Sequence, residues 1–189
     1  MTRLAHIDDP MTVEEFLAFA ETRPDEEKWE LIEGEPIMNA APAYLHQRIV
    51  GNLIARLATI GMERAAAWSA IPGIGVRLSD ISAPVPDVMV RPRDFLKAVV
   101  CDDMIVAFEV LSPSTAKRDL RWKRKAYSSL PSLMHYVVIA QDAVEVLTYD
   151  RASGFGERRL TDVREGVDLS ALGIRLAVTD IYRDTGIGG

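Results

Sequence analysis

Two apolar runs, DMIVAFEVLS (103–112) and LMHYVVIA (133–140), stand on either side of a basic segment at 115–129, and this order constrains the fold more than any other feature. Each run has the length of a strand and is too short to cross a bilayer. Between them Ala116, Leu120, Lys123, Tyr127 and Leu130 recur at spacings of three and four, the stripe of a helix that faces a sheet. A strand, a helix and a strand, followed by the strand AVEVLTYD (143–150), predict an α/β (α+β) fold with a mixed β-sheet core flanked by helices. At 189 residues, 48% apolar and 26% charged, the chain fits a single globular domain with a core over about 12–182.

The preceding residues supply further elements. Thr12 with Glu15 forms a capping box for a helix from Val13 to about Ala20, and KWELIEGEPIMNA (28–40) reads as two strands about a tight turn at Glu33-Gly34. Leu45, Ile49, Leu53, Ile54 and Leu57 predict a longer helix from about Ala43 to Ile60, closed by Gly61. Residues 66–80 are expected to be extended, with a bend at IPGIG, and PVPDVMVRP (84–92) to be a strand closed by Pro92. The tail RDTGIGG is expected to fray. The opening MTRLAHIDDP lacks an apolar signal core, and a lone cysteine, Cys101, suits a reducing cytoplasm, where it is expected to be an inert buried thiol. A cytoplasmic protein without membrane contact is the expectation.

Two of the core strands carry an acid: Asp87 at the mouth of VMVRP and Glu109 inside MIVAFEVL. Carboxylates are almost never fully buried without a partner, because an isolated charge in a low dielectric is very costly. Lys123, a cation on the apolar stripe, is the candidate, since its helix leaves the end of the strand that holds Glu109. Either the three form a structural salt bridge, with Lys123 otherwise snorkelling to water, or the acids hold a hard cation such as Mg²⁺, which takes one or two carboxylates, waters and phosphate oxygens. With 22 Lys+Arg against 28 Asp+Glu the net charge is −6, so any polyanion site must be local. One exists in the sequence: Lys117, Arg118, Arg121, Lys123, Arg124 and Lys125 fall within nine residues.

WELIEGEPIMNAAPAYLHQRIVGNL, PVPDVMV, VAFEVLSPSTAKRDLRWKRKAY and HYVVIA together resemble the Uma-type restriction-endonuclease family, a branch of the PD-(D/E)XK nuclease superfamily, from about Thr12 to Tyr182. The resemblance implies a restriction-endonuclease-like core, a Mg²⁺ site that Mn²⁺ can fill, and hydrolysis of DNA. Asp87 and Glu109 then match the motif acids as metal ligands, with the Val110 carbonyl completing the shell. The motif lysine, two residues after the glutamate, is replaced here by Leu111, and Lys123 is similar to a migrated replacement. Glu30 and His46 match positions the family fills in the same way, as a third carboxylate and a phosphate-side or supporting group. Their bland readings are a strand-edge acid and a core histidine. Ser112 and Asp119 are expected to support Lys123 or cap its helix. Ala140 and Val137 depart from relatives that place an aspartate and a tryptophan there, which touches only the edge of the site. Cutting both strands calls for two sites and so a homodimer. The alternative is an inactive relative of the fold that binds nucleic acid or protein while its acids and lysine merely pair.

Overall fold

The computed structural model describes residues 2–3, 9–24, 26–94, 99–111 and 116–188, the first two and 116–119 by backbone alone. A short strand β1 (Thr2–Arg3) precedes helix α1 (Val13–Glu21). The capping box forms as expected: Thr12 Oγ1 accepts the Glu15 N–H at 3.3 Å and Glu15 Oε2 accepts the Thr12 N–H at 2.8 Å. Strands β2 (Lys28–Ile32) and β3 (Glu35–Asn39) turn at Glu33 (φ 50°) and Gly34 (φ 80°), the left-handed pair that a two-residue hairpin requires. β1 adds to the free side of β3, and α1 packs Val13 and Phe16 against Leu31 of the hairpin.

Helix α2 (Tyr44–Glu63) follows, then β4 (Trp68–Ile71), β5 (Gly75–Val76), β6 (Val88–Pro92), β7 (Val100–Cys101) and β8 (Val106–Leu111). The segment 115–129 forms α3 (Ala116–Ser128), and β9 (His135–Ala140) and β10 (Val146–Asp150) complete the pattern read from the sequence. Beyond it stand elements that no periodicity marked: β11 (Glu157–Leu160), β12 (Gly166–Leu169), β13 (Ile174–Ala177) and α4 (Val178–Ile181). The main sheet has the order β11-β10-β9-β8-β6-β4, with β8 and β9 parallel across the α3 crossover and the other neighbours antiparallel.

Both faces of this mixed sheet are covered, which is why β8, Glu109 apart, reads as a continuous apolar run rather than an alternating one. Ile49, Leu53 and Leu57 of α2 pack on Val88, Phe108 and Val137, in a cluster that β12, β13 and α4 extend. Tyr127 of α3 and Leu130 just beyond it pack on Met89, Ala107 and Val138. Cys101 lies in this second cluster, buried, with burial pushing its thiol up, as the expectation of an inert thiol requires.

Two expectations are corrected. Gly61 does not close α2, which runs on to Glu63, because Gly61 and Ile60 are buried and the Trp68 ring lies over the glycine. That burial outweighs a helix-propensity cost of about 1 kcal/mol. The tail is not frayed through Gly188: Asn52 donates to the Ile181 and Arg183 carbonyls at 3.0 and 2.8 Å, and Ile187 packs on the core. Among the described residues no helix is long and apolar enough to cross a membrane.

Candidate active site

The β6–β8 ladder pairs Val88 with Phe108, and the same register carried one step further sets Asp87 beside Glu109. The two acids thus meet at the end of the sheet although they come from different strands. Past the last rung, the Asp87 side chain replaces the ladder: its Oδ2 accepts the Val110 N–H at 2.7 Å. The same oxygen lies 3.2 Å from His46 Nε2, delivered by the first turn of α2. His46 is therefore a fixing group for Asp87 rather than a plain core histidine. Its Nδ1 is buried without a partner among the described residues.

From the opposite face of the sheet, α3 brings Lys123 and Tyr127. Lys123 Nζ is 3.0 and 3.1 Å from the two Glu109 oxygens and 3.3 Å from Glu30 Oε2. Tyr127, four residues on along the stripe, donates its hydroxyl to Glu109 Oε1 at 2.9 Å. The hairpin contributes Glu30, whose Oε2 also accepts the Val85 N–H at 3.3 Å. The tertiary structure thus gathers Glu30, His46, Asp87, Glu109 and Lys123 in one place, and adds Tyr127. Its signal in the sequence is the spacing of four from Lys123 on an inward face, which also fits a plain core tyrosine.

Glu30 is 2% exposed and Glu109 6%, whereas the Asp87 side chain keeps a quarter of its surface, 25%. Burial pushes the Glu109 carboxyl up to about 8; Lys123 pulls it down, while Asp87 and Glu30 push it up again. Burial also works against the Lys123 charge, but Glu109 and Glu30 more than offset it and hold the ammonium above its ordinary range. Tyr127 is raised well above its usual value by burial and by Glu109, so it stays a donor. With Glu109 ionised, three carboxylates facing one ammonium leave negative charge uncompensated.

That charge balance is what a divalent cation would relieve. Among the described residues no three His, Cys, Asp or Glu side chains converge into a ready-made metal cage. Two carboxylates and a carbonyl are on offer instead. The Val110 N–H faces Asp87, and in an antiparallel ladder a residue's N–H and C=O face the same neighbour, so the Val110 carbonyl opens on the same gap. Asp87, Glu109 and that carbonyl form an all-oxygen set, the kind that fits Mg²⁺ with its retained waters and does not fit a thiolate or imidazole metal.

The site opens into a cleft of about 1150 Å³ between the sheet end, α1, the β2–β3 hairpin and the start of α2. Among the described residues its walls hold five carboxylates, Glu21, Glu27, Glu30, Asp87 and Glu109, against the three cations Arg23, Lys28 and Lys123. The described basic residues on the other side of α3 lie elsewhere. Arg121 and Lys125 are exposed, and Arg124 lies over the Tyr149 ring at 4.7 Å, yet none of the three lines the cleft. Ser112 lies outside the described residues, as do the side chains of Lys117, Arg118 and Asp119.

Comparison with known proteins places this geometry. The model of the Uma2 family, described as "Putative restriction endonuclease", matches residues 13–179. The crystal structure of a "putative nuclease belonging to DUF820" from Anabaena variabilis superimposes with a TM-score of 0.73. The two share 18% sequence identity over 92% of this chain and 98% of that one, so the likeness speaks for the fold. No curated protein matches the sequence.

Proposed function

Because the chain belongs to the Uma2 family, we propose that it is a Mg²⁺-dependent endodeoxyribonuclease, with Mn²⁺ as a substitute, acting through Asp87, Glu109 and Lys123. The observation that carries the proposal is the meeting of Asp87 and Glu109 at the end of the sheet, with Lys123 3.0 Å from Glu109 and a charge balance that calls for a further cation. Asp87, Glu109 and the Val110 carbonyl would hold the metal. Bound there, it would polarise a phosphodiester oxygen and acidify a water.

The chain's own residues do the rest. Asp87 is held by the Val110 N–H and His46, and Glu109 by Tyr127, so both carboxylates keep their directions without help from a ligand. Lys123 has two anions in reach. With Glu109 engaged by a metal, Glu30 at 3.3 Å would keep the ammonium in place to orient a water or meet charge developing on the phosphate. Arg121 and Lys125, exposed on the outer face of α3, offer phosphate contacts beyond the cleft. Cutting both strands would take two such sites, hence a homodimer, working in the cytoplasm.

A second reading draws on the same lysine. Since Lys123 holds both Glu109 oxygens, the cluster could be a closed salt bridge in a non-enzymatic nucleic-acid or protein-binding module. Calorimetric titration with Mg²⁺, on wild type and Asp87→Ala, separates the two. Binding that the variant loses, with plasmid nicking that stops in excess chelator, supports the nuclease. No heat with either protein supports the module.

A further inference from the structure

We infer that the cleft accepts an unpaired nucleotide strand, one base lying against Trp29 while the adjoining phosphodiester reaches Asp87, Glu109 and Lys123. This rests on the nuclease reading and names its substrate class.

Depth argues for it first. Glu30 and Glu109 are 2% and 6% exposed and the Lys123 side chain 12%, so these three, unlike Asp87 at 25%, are recessed from the surface. A nucleotide within a stacked, paired duplex reaches such recessed groups only after it is unstacked and unpaired, whereas a single strand needs neither.

Charge points the same way. Duplex binding draws mainly on cations that neutralise phosphates along both strands. Among the described residues this cleft has more carboxylates than cations on its walls, and the exposed Arg121 and Lys125 stand outside it.

The rest of the cleft supplies a different kind of contact. Leu17, Ala20, Trp29, Pro42 and Val50, apolar or aromatic, line the same cleft as Glu30 and His46. Trp29 is part-buried, gives its Nε1–H to Glu27 Oε2 at 2.9 Å, and meets Phe19 edge-on with centroids 5.1 Å apart. The indole is thus set in place before any ligand arrives. Stacking on such a ring serves any base, because every base has a π-face.

The test uses the full chain, a fluorescein-labelled oligothymidylate and the same strand paired with oligoadenylate. Binding is read by anisotropy in Ca²⁺ and cleavage in Mg²⁺, for wild type, Trp29→Ala and Trp29→Phe, with thermal melts and Mg²⁺ calorimetry on each preparation. The single strand is expected to bind and be cut at least about tenfold better than the duplex, with Trp29→Ala losing about tenfold and Trp29→Phe keeping most of it. The heat of Mg²⁺ binding is expected to stay the same in all three. Equal cleavage of both substrates, or a folded Trp29→Ala protein without loss, overturns the inference and leaves the nuclease reading standing. Trp29-dependent binding of the single strand without cleavage overturns the nuclease reading and supports the strand site.

Discussion

Replacing Glu109 by Gln probes the charge of the site directly. In the wild type burial pushes this carboxyl up to about 8, against 4.5 for a free side chain. The folded chain therefore holds the proton more tightly than the unfolded one, so the contribution of Glu109 to stability is whole below about 4.5 and is lost as pH rises toward about 8. Within that window the folded state binds up to one proton more than the unfolded state. Stability then falls by about 1.4 kcal/mol per pH unit, or about 3 kcal/mol between about pH 5 and about pH 7.5. For a domain whose whole stability is about 5–15 kcal/mol that is a large share. Gln has the same shape, can accept the Tyr127 hydroxyl and leaves Lys123 with Glu30, but it has no proton to bind. Carboxylates remote from the cluster are untouched by the substitution and drop out of the difference. Urea unfolding followed by circular dichroism, in paired pH series, should show Glu109→Gln gaining about 3 kcal/mol on the wild type across this range. Added Mg²⁺ should flatten the wild-type profile and leave the variant's unchanged. Parallel profiles without metal would mean that Lys123 compensates Glu109 in full, and the charge deficit that calls for a cation would not exist.

Lys123→Met is expected to lower plasmid nicking by about 100-fold or more while Mg²⁺ binding persists, because Asp87 and Glu109 remain. Normal cleavage in a folded variant would remove Lys123 from the mechanism. The outer face of α3 has its own readout: Arg121→Gln with Lys125→Gln should flatten the dependence of log affinity on log salt by about 1.4 on a single strand, or about 1.8 on a duplex. An unchanged slope moves the phosphate contacts off this helix.

The residues of the site were legible to different degrees. Asp87, Glu109 and Lys123 stand out because a charge in an apolar strand or stripe breaks a local pattern, and the break can be seen without knowing the neighbours. Tyr127 breaks nothing. Its hydroxyl matters only because Glu109 lies 2.9 Å away, and that is settled by how α3 crosses the sheet. Trp29 is likewise an ordinary strand residue until the hairpin sets it in the wall of the cleft. The basic run on α3 reads as a polyanion site in sequence, but the inward stripe that brings Lys123 to Glu109 turns Arg121 and Lys125 away from it.

What the sequence by itself determined was local: the capping box at Thr12, the left-handed turn at Glu33-Gly34, the apolar strands and the stripe through Lys123. Each depends on residues within a few positions of one another, where backbone sterics and side-chain spacing act directly. Tertiary structure alone decided the order β11-β10-β9-β8-β6-β4, the return of the tail onto α2, and the encounter of His46 with Asp87 and of Glu30 with Lys123. Strand register and the choice of partner are set by burying two sheet faces at once, and every long-range contact contributes to that condition together, so no single stretch of sequence contains it.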